Sequence, residues 1–259
     1  TLSPRERPPV IWSIAGQDSA GGAGLSADQR AADALGVHLC PVVSALTAQH
    51  SREVEAVFPV PAAQLESQLR ALSGDLPPRA IKTGLLGSVT AIETVARWVD
   101  HWRAQTPAGS DPHRQLALIV DPVLGASAGG TPFSDEAIVA AYRTLLLPRA
   151  TVITPNRAEL AQVIGAWSSE AQLHERAQAL RREHRLEGLL LTRSEEGMSL
   201  FDEQGHTQVP AQAREVFDVT GAGVFVFGSV AHMLVCCFLL GALMLLANRA
   251  GGIVVGKFG

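Results

Sequence analysis

The stretch Asp218-Val219-Thr220-Gly221-Ala222-Gly223-Val224 has the residue types that a phosphate-handling turn needs. Glycines at 221 and 223 let backbone N–H groups approach an anion. A helix opening there adds the positive end of its dipole. Donors so placed can stabilise charge developing on a transferred phosphoryl group. On this reading Gly221, Ala222 and Gly223 form the catalytic turn, and Val224 stands where a carboxylate would be wanted. Valine cannot take a proton, and a general base is typically worth about 10²–10⁴-fold. The chemistry expected is phosphoryl transfer with one part missing. The plain alternative is a turn that only starts a helix.

Other polar groups fall where apolar strands are expected to end: Gly16-Gln17-Asp18-Ser19, Thr47-Ala48-Gln49, Lys82-Thr83-Gly84, Asp121-Pro122, Thr154-Pro155-Asn156 and Thr192-Arg193. In open α/β sheets, ligands bind beyond the carboxyl ends of the strands. Asp18 can hydrogen-bond a polar ligand or serve as a turn residue. Gln49 both donates and accepts, which suits a heterocycle edge, or it is a solvated loop amide. Asn156 and Glu159 share one face at a helix start. Glu159 can hold magnesium near phosphates, or it is an acid favoured in a first turn. Asp121 is open to the same two readings, metal-linked or turn-capping.

Apolar runs alternating with helical spacing must position these groups. Strands are expected at Val10 to Ala15, Leu39 to Ala45, Val54 to Val57, Ala80 to Thr83, Leu116 to Val120, Val152 to Thr154 and Leu189 to Thr192. Helices are expected from the Gly21–Gly24 turn to about Leu35, and over Pro61 to Leu72, Ser88 to Arg103, Ser134 to Leu147 and Ser169 to His184. Met198 to Phe201 and Thr207 to Val209 read as a hairpin, Gln105 to Arg114 as a surface loop, and two helices are expected to close the chain. The pattern predicts an α/β fold, a doubly wound and mainly parallel sheet with helices on both faces. Its 259 residues suit a single domain.

Net charge is −4, with no basic run or aromatic-interleaved basic patch, so no nucleic-acid partner is expected. Three cysteines, Cys236 and Cys237 adjacent, make no disulfide framework and fit a cytoplasmic location. Thr1 to Pro9 is charged and Pro-rich, without the apolar region of a signal peptide. Between Val219 and Ala247 there is no Asp, Glu, Lys or Arg. Such a run is either a membrane helix or a helix buried on all sides; four interrupting glycines favour burial, and no membrane partner is expected.

Taken together, these residues resemble the ribokinase-like superfamily of small-molecule kinases. Residues 10–160 are similar to hydroxymethylpyrimidine/phosphomethylpyrimidine kinases, through SIAGQDSAGGAGLSAD, ALGVHLCPVVSALTAQ, AIKTGLLGS, VDPVLGASAG and LLPRATVITPNRAEL. Residues 166–259 are more similar to the kinase domain of the bifunctional heptose-phosphate enzyme, through LLLTRSEEGMSLF, EVFDVTGAG and LANRAGGIVVGKFG. A family junction near 155–170 inside one fold would account for this.

The resemblance implies ATP and Mg2+ as cofactors and a small-molecule substrate, hydroxymethylpyrimidine or its phosphate. It also implies a homodimer. It places Gly16, Asp18, Gln49, Gly84 and Leu85 against the substrate, and Asn156, Thr192, Arg193, Thr220 and Asn248 at ATP. Asp121 and Glu159 then fall at the metal. Position 224 is Asp in heptose kinases and often Cys in pyrimidine kinases, so Val224 implies impaired turnover. The alternatives are a heptose-phosphate kinase and a ligand-binding member without catalysis.

Overall fold

The computed structural model describes residues 8–50, 54–105, 116–125, 135–193 and 196–209. The Thr220–Val224 turn, Asn248, the apolar run, Cys236, Cys237 and the two expected closing helices all lie outside them.

The described strands form one sheet, in the order β3-β2-β1-β4-β5-β6-β7-β8-β9. They are β1 (Val10–Asp18), β2 (His38–Gln49), β3 (Val54–Pro59), β4 (Ala80–Thr83), β5 (Ala117–Val120), β6 (Val152–Ile153), β7 (Gly188–Thr192), β8 (Met198–Asp202) and β9 (Gly205–Val209). The run from β2 through β7 is parallel. Antiparallel β3 closes one edge and the β8–β9 hairpin the other. This is the expected doubly wound, mainly parallel sheet.

Period-two alternation splits the core between the two faces. Trp12, Ile14, Ile81, Leu118 and Val120 face one cluster. It is covered by α2 (Ala62–Ser73), α3 (Val89–Ala104), α4 (Glu136–Ala141), α5 (Arg157–Ile164) and α6 (Glu170–His184). Ile11, Ala80, Ile119, Val152 and Leu190 face the other, where α1 (Gly24–Leu35) packs. Central strands covered on both faces read as continuous apolar runs, which is why the first part of β1 and all of β5 are legible in the sequence.

Several helix starts follow the capping rule. Ser88, Asp135 and Ser169 accept hydrogen bonds from the amides of Ala91, Ile138 and Gln172. The cap of α4 is Asp135, whereas Ser134 lies outside the described residues. Gly24 is where a turn demands glycine. Its φ is +55°, and an added Cβ would stand 2.1 Å from the Gly16 carbonyl oxygen.

Two elements differ from the sequence expectation. β2 runs on past Ala45 to Gln49 because β3 pairs with that extension. Pro41 is tolerated because β3 does not reach it, so on that side no ladder bond is lost. The helix expected to reach Leu147 leaves α geometry at Ala141. It continues as a π turn (Tyr142–Leu146) and a 3₁₀ turn (Leu147–Arg149) containing Pro148, a residue that cannot continue an α-helix. Leu46 and Phe58, paired across β2 and β3, are the exposed large hydrophobic side chains among the described residues.

Candidate functional site

Strand order reverses between β1 and β4, since β2 lies on one side of β1 and β4 on the other. A crevice at such a reversal, beyond the strands' carboxyl ends, is where α/β sheets bind ligands. Gly16 and Asp18 end β1, Gln49 ends β2, and Gly84 and Leu85 follow β4. The five expected substrate residues therefore come from the strands around one crevice.

Asp18 is buried, and its carboxylate is engaged by the glycine turn. Its two oxygens accept from the amides of Ala20 and Ala23, each at 2.8 Å. The turn reading of Asp18 is thus realised in the structure. Ser19 and Gln49 exchange two hydrogen bonds, Oγ to Gln49 O at 2.8 Å and Gln49 N to Oγ at 2.9 Å. Thr47 Oγ1 stands 3.1 Å from Gln17 O and 3.3 Å from Gln49 Oε1. Gly16 and Leu85 meet directly: a Cβ on Gly16 would stand 3.2 Å from Leu85 Cδ2.

Beneath this wall lies a network that the sequence did not single out. Lys82 Nζ donates to both carboxylate oxygens of Asp28, at 2.8 and 3.0 Å, and Ser13 Oγ donates to the same carboxylate. All three residues are buried. The signal was a charge inside the apolar strand Ala80–Thr83 and a second on the Ala-rich face of α1; buried charges need partners.

Toward β5 and β6 the polar groups are left less satisfied. Asn156 and Glu159 form a complete capping box at the start of α5. Asn156 Oδ1 accepts from Glu159 N at 2.9 Å, and Glu159 Oε2 accepts from Asn156 N at 2.8 Å. Glu159 is nonetheless buried, and loss of water pushes its pKa to about 7 against the pull of its backbone hydrogen bonds. Asp121 keeps some surface, yet loss of water is the largest effect pushing its carboxyl well above the usual range. Glu159 and Asp28 add to that rise, and Lys82 opposes it. Thr83 Oγ1 and Thr154 Oγ1 are buried beside these strands without a hydrogen bond among the described residues. Tyr142, also unanticipated, is fully buried here. Its phenol pKa is raised by burial and then by Asp121 and Glu159.

Thr192 lies beside Asn156 through a β-bridge, and its amide donates to Pro155 O at 3.0 Å. Arg193 follows, but its guanidinium is occupied. It donates to Glu196 Oε2 at 2.9 and 2.7 Å and to Glu170 Oε2 at 2.9 Å. A phosphate there would compete with two carboxylates. No helix among the described residues is long and apolar enough to cross a membrane.

Comparison with known proteins bears on the family and the fold. A family model described as phosphomethylpyrimidine kinase matches residues 18–234. The D-beta-D-heptose 7-phosphate kinase of Bordetella bronchiseptica is 36% identical over 277 aligned residues, covering all of this chain and 85% of that protein. The hydroxymethylpyrimidine/phosphomethylpyrimidine kinase of Streptomyces coelicolor is 39% identical over 163 residues, 63% of this chain and 56% of its own length. The chain thus spans only about half of that pyrimidine-kinase relative. Among solved structures, the pyridoxal kinase from Staphylococcus aureus in complex with pyridoxal superposes with a TM-score of 0.79 at 23% identity, over 96% of this chain and 88% of that one. The phosphomethylpyrimidine kinase from Clostridium difficile gives 0.72 at 21%, over 93% and 97%. At those identities the structures speak for the fold, which is ribokinase-like. With the family model spanning most of its length, the chain belongs to the phosphomethylpyrimidine kinase family of small-molecule kinases.

Proposed function

We propose that this chain phosphorylates hydroxymethylpyrimidine and its monophosphate from ATP, a step of thiamine biosynthesis. The observation that carries the reading is the crevice at the β1/β4 reversal, where Gly16, Asp18, Gln49, Gly84 and Leu85 come from three neighbouring segments, all but Gly16 within the span of the family match. A flat heterocycle fits a wall made of Leu85 against a bare Gly16, with amide and backbone groups of β1 and β2 at its rim.

The residues on the β5/β6 side fit a divalent cation. Asp121 and Glu159 are carboxylates whose ionisation is opposed by lost water and, for Asp121, by its neighbour. A cation would relieve that opposition. The hydroxyls of Thr83 and Thr154 add oxygen donors without a hydrogen-bond partner among the described residues. Asp121 and Glu159 would hold Mg2+, which supplies charge neutralisation on the phosphates of ATP. Asn156, Thr192 and Arg193 would face the nucleotide, together with Thr220 and Asn248. The Gly221–Gly223 amides would steady the transferred group. Val224 offers no base, so the substrate hydroxyl would lose its proton to water or phosphate.

The test is ATP turnover with hydroxymethylpyrimidine. Slow turnover is expected, rising by about 10²-fold or more in Val224→Asp, within the usual range for a general base. No turnover in either chain, with binding absent by calorimetry, would sink the reading. Binding without turnover in both would instead favour a non-catalytic member. A second reading, a heptose-phosphate kinase, is favoured by the Bordetella relative, which aligns with the whole chain. Faster turnover with heptose 7-phosphate than with the pyrimidine would establish it.

A further inference from the structure

We infer that Tyr142 and Ser44 are positioning residues, which together pin the turn Gly84–Gly87 as a fixed wall of the crevice. The inference deepens the proposed function and rests on it only for the identity of the ligand.

The turn follows β4 and is held at successive backbone groups. Gly84 N donates to Ile14 O at 3.0 Å. Its carbonyl accepts from Tyr142 Oη at 3.3 Å, and the Leu85 carbonyl accepts from Ser44 Oγ at 2.6 Å. Close packing leaves little slack. A Cβ on Gly84 would stand 2.9 Å from Ala15 Cβ and 3.1 Å from Lys82 Nζ. At Gly87, φ is +74° and an added Cβ would stand 3.3 Å from Ala45 Cβ. Leu86 is buried in the core, whereas the half-buried Leu85 side chain rests on Gly16.

Both pins sit at irregularities in otherwise regular elements. β1 pairs Ala15 with Val43 and Gly16 with Ala45, so Ser44 is an extra residue in β2, a bulge. Bulges re-aim a side chain and concentrate beside functional sites. Tyr142 opens the π turn in which the helix after Asp135 loses α geometry, and π turns have the same association. Each irregularity delivers one hydroxyl, from 58 and 41 residues away in sequence, to adjacent carbonyls of a single turn. Tyr142 is buried (1% exposed), and so is Ser44 (0%), so each hydroxyl replaces water that the turn's carbonyls would otherwise keep.

The experiment uses Tyr142→Phe, Ser44→Ala and the double variant, each changing little besides one hydroxyl. Hydrogen exchange over residues 84–88 should quicken by about tenfold in the double variant while the protection of β1 and α3 is unchanged, the pattern of a local opening. The KM for hydroxymethylpyrimidine should rise about 5- to 10-fold per lost hydrogen bond, with kcat and the KM for ATP within about twofold. Because both pins hold one turn, the double variant should cost less than the product of the single effects. Unchanged exchange at 84–88 in the double variant overturns the inference. So does an equal loss of protection throughout the fold, or a kcat that falls while both KM values stay put. If neither wild type nor Val224→Asp turns over or binds the pyrimidine, the substrate reading fails, and the exchange measurement still decides the role of the two pins.

Discussion

The two sides of the crevice are built on opposite principles. On the β1/β4 side nearly every buried polar group has a partner. Lys82 is locked to Asp28, Asp18 to the amides of Ala20 and Ala23, and the carbonyls of Gly84 and Leu85 to Tyr142 and Ser44. On the β5/β6 side the carboxylates of Asp121 and Glu159 are held where charge is disfavoured, and Thr154 Oγ1, like Thr83 Oγ1 at the adjoining end of β4, has no hydrogen bond among the described residues. A satisfied wall gives shape and gains nothing further from a polar ligand. An unsatisfied one is costly alone and gains when a cation arrives. Under the proposed function, one region recognises the substrate and the other is completed by the cation.

The contrast can be broken most forcefully at Lys82. Lys82→Met leaves Asp28 buried without this cation, a loss of about 3–5 kcal/mol by the usual behaviour of a broken buried pair. Adding Asp28→Leu should return much of it, because no lone charge remains. Denaturant unfolding followed by tryptophan fluorescence measures both. A single variant as stable as wild type would mean that this side is not held as described.

Asp121→Asn and Glu159→Gln probe the other side. Either should lower turnover by about 10²–10³-fold, the scale of a lost electrostatic stabiliser, with metal-free stability undiminished. Activity and stability would then move independently. A variant that loses both together would place these carboxylates with the wall.

The smallest effect sharpens the contrast through pH. Glu159 has its pKa raised from 4.5 to about 7 by burial. The folded state therefore binds more protons than the unfolded chain between those values. Its contribution is fully present below the unfolded value and is lost as pH rises through about 7. In chelator, the melting temperature should fall between pH 5 and 8, and the slope should flatten in Glu159→Gln. Added Mg2+ should stabilise more at pH 8 than at pH 5. A slope indifferent to Glu159→Gln would separate the titration from this residue.

What the sequence made legible follows from the range of the forces involved. Strand β5 was read to its observed end and within one residue of its start because a parallel strand covered on both faces needs an unbroken apolar run. The cap at Ser88 was read because a cap is a local bargain between a side chain and an amide three residues on. Asp18, Gln49, Asp121 and Glu159 were found as polar residues at strand and helix ends, although the structure also gives Asp18 and Glu159 the turn and cap duties that the sequence left open. Ser13, Asp28 and Lys82 were missed as a set: their partners are 15 and 54 residues apart, and no local period links them. Tyr142 was hidden in an expected helix whose last part is not α-helical, so its ring reaches a turn that helical spacing would not have suggested.

The Lys82–Asp28 pair carries a consequence for how the molecule comes apart. Asp28 travels with α1, and Lys82 with the middle of the sheet. Lifting the helix while the sheet stays folded would separate two charges without giving both back to water. Such a half-open state is heavily disfavoured, whereas unfolding everything hydrates both groups at once. Helix α1 and the sheet centre are therefore expected to behave as one cooperative unit. Proteolytic nicking in the glycine turn ahead of α1 should report the unfolding of the whole rather than the fraying of a part.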